Sequence, residues 1–301
     1  MKLLGTYLNG NTIVAIYDDG TKERYLRDGE TPAPEFPESM DLKITNRCDL
    51  RCNFCAEGSC LSGQHADLTG AKLLDSIKPY TELAIGGGNP LEHPDLVWFL
   101  LKMHHQKVIC NLTVNVKHFM QPDVQYKLAM FTQQGLIHGI GVSVPDRIPF
   151  GFLKLVGEYP NAVIHTIAGI TPMSVYKELA DNDLNLLILG YKVKGRGGEF
   201  AQKYLNDISD KIEELDDNLL NMRSHFKAIA FDNLAVQQLN VANKLSKDEY
   251  NKLYMGADGE FTMYIDLVTK KYGKSSTHKM HDIDADTVPE LFQKLKENQD
   301  G

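Results

Sequence analysis

From Asp41 onward, short apolar runs alternate along the chain with segments whose apolar residues recur at helical spacing. The apolar runs predict strands over Asp41 to Thr45, Glu82 to Gly87, Val108 to Val114, His138 to Val144, Ala162 to Gly169 and Leu184 to Lys192. The periodic segments predict helices near Leu68 to Lys78, Asp95 to His105, Pro122 to Gln134, Phe150 to Glu158, Thr171 to Asp181 and Glu199 to Leu220. Six strand–helix units in succession imply parallel pairing through right-handed crossovers. The expected fold class is α/β, a partial (β/α)6 TIM-like barrel two units short of closure. A doubly wound sheet alternates in the same way and is the structural rival.

The ends of the chain follow other patterns. Before Asp41, "TIVAIYDDGTKERYL" alternates apolar and polar around Asp19 and Gly20, which predicts a β-hairpin, and Pro32, Pro34 and Pro37 then mark an extended connector. "FKAIAFDNL" and "GEFTMYIDLV" add strand-like segments near the other end, followed by one short helix and a frayed acidic tail. The expected division is therefore residues 1–40 as hairpin and connector, 41–223 as barrel, and 224–301 as a mixed C-terminal extension capping it. In "HPDLVWFLLKM", Trp98 and its neighbours have the spacing of a helix packing face, and Asp266, a charge in an apolar strand, either meets substrate or sits on the polar face of an edge strand, the second being the reading preferred.

Composition narrows the class without naming it. A net charge of −8 supplies no global field to draw the chain to nucleic acid or anionic lipid. No apolar run is long enough for a signal sequence or a membrane span, so a cytoplasmic protein is expected. Five cysteines, an odd number and unevenly placed, do not form a disulfide framework and leave thiols free for metal.

The chemistry gathers in "TNRCDLRCNFCAEGSC". Cys48, Cys52 and Cys55 have the spacing C-x3-C-x2-C directly after the first barrel strand, on the loop where barrel enzymes carry their active groups. Three thiolates wrap one face of a cubane [4Fe-4S] cluster and leave its fourth iron without a protein ligand. Two other readings use the same thiols: a zinc site of Cys48, Cys52, Cys55 and Cys60, with His65 able to replace one of them, and an electron-transfer cluster with Cys60 as fourth ligand. Cys60 and His65, with Glu57 beside them, are the weak candidates for a catalytic thiol and an acid or base, and Cys110 reads as core. "YKVKGRGGEF" sets Lys192, Lys194 and Arg196 among glycines, suited to a phosphate or carboxylate of a substrate. The chain has no G-x4-G-K-[ST] P-loop, and no G-x-G-x-x-G follows the first strand.

"CDLRCNFC", with its aromatic before the last cysteine, resembles the signature of the radical S-adenosylmethionine (SAM) superfamily, and "LAIGGGNP" resembles that family's GGEP segment. The resemblance covers Asp41 to about Lys192. It implies a [4Fe-4S] cluster on Cys48, Cys52 and Cys55, with SAM chelating the open iron through its amino and carboxylate groups and cleaved reductively to methionine and a 5′-deoxyadenosyl radical. It further implies SAM contacts at Phe54, at Gly87, Gly88, Asn89 and Pro90, at Asn115 and Ser143, and, by strand order, at His165 to Gly169 and at Leu189. Asn89 stands where the family has Glu, which leaves a backbone role for the segment.

Too few spare cysteines remain for a second cluster domain, so a single cluster is expected, and "HGIGVSVP" lacks the D-x-K segment associated with glycyl-radical activating enzymes. The partners implied are an external electron donor such as flavodoxin or ferredoxin and an unidentified small-molecule, nucleoside or peptide substrate. The alternative to this enzyme is a non-catalytic iron-sulfur or zinc module acting in electron transfer or sensing.

Overall fold

The computed structural model describes residues 2–297 of the chain. Its main body is a ten-stranded sheet in the order β10-β9-β8-β7-β6-β5-β4-β11-β12-β13. The strands are β4 (Ser39–Thr45), β5 (Glu82–Gly87), β6 (Ile109–Asn115), β7 (Gly139–Ser143), β8 (Ala162–Ile167), β9 (Asn185–Leu189), β10 (Ala228–Phe231), β11 (Thr262–Asp266), β12 (Lys271–Gly273) and β13 (His281–Asp282). Every pairing from β11 through β4 to β10 is parallel, and the pairings of β12 with β11 and with β13 are antiparallel.

The six expected barrel strands are β4 to β9, each beside its successor. Within β4 to β9 the order never reverses, whereas a doubly wound sheet turns at a switch point; across the whole sheet it does turn at β4, since β11 lies on the side of β4 away from β5. The sheet continues past the six at both sides, with β10 beside β9 and β11 beside β4.

Alternation within the strands sorts the two faces. Met40, Leu42 and Ile44 of β4, Leu83 and Ile85 of β5, Leu112 and Val114 of β6, and Ile140 and Val142 of β7 enter one apolar core with the helices. The residues between them, Asp41, Lys43, Asn111, Thr113, Asn115 and Ser143, lie on the opposite, polar face. Cys110 is buried in the core as expected, and burial pushes its thiol up to about 12.

Several expectations are corrected. The N-terminal hairpin is a three-stranded antiparallel sheet: Asp19 and Gly20 do turn between β2 (Thr12–Tyr17) and β3 (Lys22–Tyr25), but β1 (Leu3–Asn9) pairs with β2 across a turn at Gly10, whose φ is 62°. The helix expected near Leu68 to Lys78 is a 3-10 turn over Lys72–Ser76. In helix Leu96–His105 the packing face is Leu96, Phe99, Leu100 and Met103, whereas Trp98 is 43% exposed and carries Lys102 over its ring. Asp266 is not on an edge, because β11 is paired on both sides, and its carboxylate meets Lys43. The short helix expected near the end is Val288–Glu297, and the acidic tail falls on 298–301, outside the described residues.

Candidate functional site

Cys48, Cys52 and Cys55 stand on the loop that leaves β4, none in a disulfide. Main-chain bonds shape that loop: Cys48 N–H donates to Cys60 O, Cys60 N–H to Asn46 O, and Cys55 N–H to Cys52 O, at 3.0, 3.1 and 3.2 Å. Burial raises the thiols of Cys48 and Cys52; Asp49 and Cys55 add to the rise at Cys48, and Cys55 and Cys48 add to it at Cys52. Lys117 opposes this at Cys52. Among the described residues no three His, Cys, Asp or Glu side chains converge as ligands of a single ion would. Three thiols on one loop are donors of the kind a [4Fe-4S] cluster takes, each thiolate meeting a different iron.

The glycine segment packs directly on this loop. Gly88 and Asn89 donate their amides to the carbonyls of Thr45 and Arg47, each at 2.7 Å. Gly87 has φ 114°, and a Cβ at Gly88 would lie 2.1 Å from Arg47 O, so side chains are excluded by backbone on the other side. With those amides committed, carbonyl oxygen is what the segment can offer a ligand ammonium. Asn89 Oδ1 caps Leu91 N–H and its Nδ2 reaches Glu92 Oε1 at 3.2 Å, while Pro90 begins a 3-10 turn. The carboxylate beside this segment is therefore Glu92, held by Arg47 Nε at 2.9 Å.

A cleft of about 400 Å³ opens beside the cysteines, lined by Cys52, Phe54, Asn115, Lys117, Ile170 and Phe200 among others. Phe54 and Phe200 meet edge to face, with ring centroids 6.4 Å apart. Of the residues read from the sequence, Phe54 and Asn115 line this cleft, and Asn115 also caps the helical turn that carries Lys117. Asn115, Ser143, His165 and Leu187 stand in register across β6 to β9, so Ser143 and His165 share a row with Asn115, while Leu189 is two pairs further on, opposite Ile167. Burial pushes the His165 imidazole down to about 4. Gly169, at φ 78°, admits Ile208 of helix Arg196–Met222, since a Cβ there would lie 2.7 Å from the Ile208 side chain.

Groups that no motif announced bind the loop to the sheet. Lys43 Nζ, on a side chain only 6% exposed, meets Glu57 Oε2 at 2.7 Å and Asp266 Oδ2 at 3.0 Å. Burial works against its charge, but the two carboxylates prevail and the ammonium pKa is raised. Tyr264 OH reaches Glu57 at 3.4 Å, and His118 meets Asp49 at 2.7 Å.

Lys192 and Lys194 do not stand free for a substrate anion: both reach Ser276, and Lys194 lies 3.7 Å from Glu57. Arg196 is spent on the carbonyls of Cys52 and Ser59. His65 turns its Nδ1 to Thr45 Oγ1 at 2.9 Å and its ring to His93. Cys60 contacts Ser62 Oγ, which lowers its thiol pKa. A charged Lys43 inside the apolar run "DLKIT" was, with Asp266 in "FTMYIDLV", a sequence signal for this network; the pairing itself required the fold.

With the site in view, comparison with solved structures is informative. The chain aligns with SuiB of Streptococcus suis, over 99% of this chain and 88% of that one, at 12% identity and TM-score 0.58. It aligns with SuiB bound to the precursor peptide SuiA over 88% of this chain at 14% identity and TM-score 0.58, and with SuiB bound to SAM over 83% at 15% identity and TM-score 0.54. In these two the chain spans 66% and 64% of the other chain's length. No family model and no curated protein matches the sequence. The class is set by this likeness: an α/β protein built on a large parallel sheet, with the fold of radical SAM enzymes. No helix among the described residues is long and apolar enough to cross a membrane.

Proposed function

We propose that the chain is a radical SAM enzyme whose single [4Fe-4S] cluster is held by Cys48, Cys52 and Cys55. The observation that carries the reading is the adjacency of the three-thiol loop to the cleft lined by Cys52, Phe54 and Asn115. The resident groups, when bound, supply reductive cleavage of a sulfonium and a carbon radical able to take hydrogen from a substrate C–H bond.

The chain's own residues bind and shield. Carbonyls of the Gly87–Gly88 segment, packed on the cysteine loop, receive the SAM ammonium, the joined rings of Phe54 and Phe200 offer the adenine one aromatic surface, and Asn115 and Lys117 face the polar portions of the nucleotide. The six consecutive strands then act as a partial barrel, 41–223, and the polar face bearing Asp41, Asn111, Thr113 and Ser143 receives the substrate. His165, neutral at physiological pH because burial depresses it, presents imidazole without adding charge. The likeness to the peptide-bound SuiB structure favours a peptide among the possible substrates. Arg51, Lys117 and Lys211 around the cleft suit an acidic external electron donor such as flavodoxin or ferredoxin, and the expected setting is the cytoplasm.

Anaerobic reconstitution tests this. The expected result is a SAM-binding cluster that, once reduced, yields 5′-deoxyadenosine, with deuterium transferred from labelled substrate. A reduced, intact cluster that binds no SAM and forms no such product would instead establish the electron-transfer or sensing module, and stoichiometric zinc would establish the structural one.

A further inference from the structure

We propose that Arg196 is a positioning residue that holds the cysteine loop in its cluster-binding shape; the proposal rests on the cluster reading above. Arg196 Nε donates to Cys52 O at 2.9 Å and its Nη2 to Ser59 O at 2.8 Å. These carbonyls bracket the tight turns at Cys55 and Gly58, so one planar guanidinium ties together the two arms of the loop that presents Cys55.

The backbone around Arg196 is fitted to the same surface. Gly195 has φ 53°, and a Cβ there would lie 2.5 Å from Ala56 O; a Cβ at Gly197 would lie 3.2 Å from Phe54 O. The whole turn therefore lies flat on residues 54–56. A cation at the start of helix Arg196–Met222 opposes the helix dipole, so the helix itself gains nothing from arginine at this position. Ser59, only 2% exposed, has its carbonyl met by Arg196. The same helix carries Phe200 against Phe54, so the residue that fixes the thiolates is rigidly joined to a wall of the cleft.

The test compares wild type, Arg196→Gln and Arg196→Lys as full-length chains. Amide hydrogen exchange is followed in the metal-free proteins, and iron release to a chelator is followed by absorbance after anaerobic reconstitution. Loss of two charge-assisted hydrogen bonds predicts about tenfold faster iron release for Arg196→Gln. Arg196→Lys, whose single ammonium cannot span both carbonyls, falls between the two. Exchange should quicken at residues 52–59 and stay unchanged in β5 to β8.

Iron release at the wild-type rate overturns the proposal, as does faster exchange spread evenly over the sheet, which would make Arg196 a general stability contact. A wild-type chain that accepts no cluster defeats the functional reading instead, and the exchange at residues 52–59 still decides whether Arg196 holds the loop.

Discussion

Lys43→Met should cost the protein roughly 3 kcal/mol of stability, at the lower end of the range for breaking a buried ion pair by removing one partner. Methionine fills much the same volume, so the loss is electrostatic rather than a cavity. The variant strands two carboxylates, but neither is left bare: Glu57 retains Lys194 at 3.7 Å and the Tyr264 hydroxyl, and Asp266 retains the amides of Val268 and Thr269, each at 3.0 Å. That residual solvation places the estimate near the bottom of the range. Urea unfolding of the metal-free chain measures it, and Lys43→Met/Asp266→Asn should recover about 1 kcal/mol or more, because one stranded charge is gone. The sign of the pH dependence follows from the raised ammonium pKa: the pairing contributes fully below the unfolded value near 10.4 and is lost as pH rises through the higher folded value. The difference between wild type and Lys43→Met should thus be constant from about pH 6 to about pH 9. A cost under about 1 kcal/mol, or a double variant no more stable than the single, would refute the claim that this lysine ties the cysteine loop to the sheet.

Other perturbations probe the site separately. Replacing Cys48, Cys52 or Cys55 by alanine should abolish the cluster absorbance, whereas Cys60→Ala should retain it; loss of the cluster in Cys60→Ala would mark it as a fourth ligand. Gly88→Ala places a Cβ against Arg47 O and should weaken SAM binding at least tenfold by equilibrium dialysis, through a shift of the glycine segment; an unchanged affinity would separate that segment from the ligand. His165, depressed to about 4, contributes stability that is whole above the unfolded value near 6.5 and is lost as pH falls from there through about 4. Thermal midpoints of His165→Gln should accordingly fall less steeply than those of wild type across that window, and parallel slopes would contradict the assignment.

The strands were legible because parallel β-strands impose short apolar runs, and β5 falls on the expected residues Glu82 to Gly87. Helix Pro122–Gln133 was equally visible, with proline at its first turn. Leu3–Asn9 was missed as a strand because Gly5 interrupts its pattern, and that glycine is there to receive Tyr80, whose ring would lie 2.4 Å from a Cβ. Trp98 shows the reverse error: apolar character along "LVWFLLKM" runs nearly all the way round the helix, so spacing alone could not choose the buried face. In the site, thiols and glycines announce themselves by spacing, but the groups that orient them, Lys43 and Asp266 on neighbouring strands and His118 and Arg196 on helices, show their partners only once the fold brings them together.

The polar alternation of the strands carries a consequence for function. A parallel sheet covered on both faces reads as continuous apolar runs, and a closed eight-stranded barrel fills its interior with Val, Ile and Leu. Here the face opposite the core holds Asp41 and Lys43 on β4, Asn111, Thr113 and Asn115 on β6, and Ser143 on β7, with only Ala84, Gly86 and Gly141 between them. No atom lies within 4 Å of the place a Cβ on Gly86 would occupy, so the face is open there, whereas His165 packs over Gly141. Asp41, although on a strand paired on both sides, is exposed, and crowding by protein raises its carboxyl, Lys192 opposing and Asp232 and Asp258 adding to the rise. Desolvating such groups without a use would cost stability at each strand. Lys43 is spent on Glu57 and Asp266, and the retention of Asp41, Asn111, Thr113 and Ser143 on central strands is explained if their part of the face is open to a polar ligand.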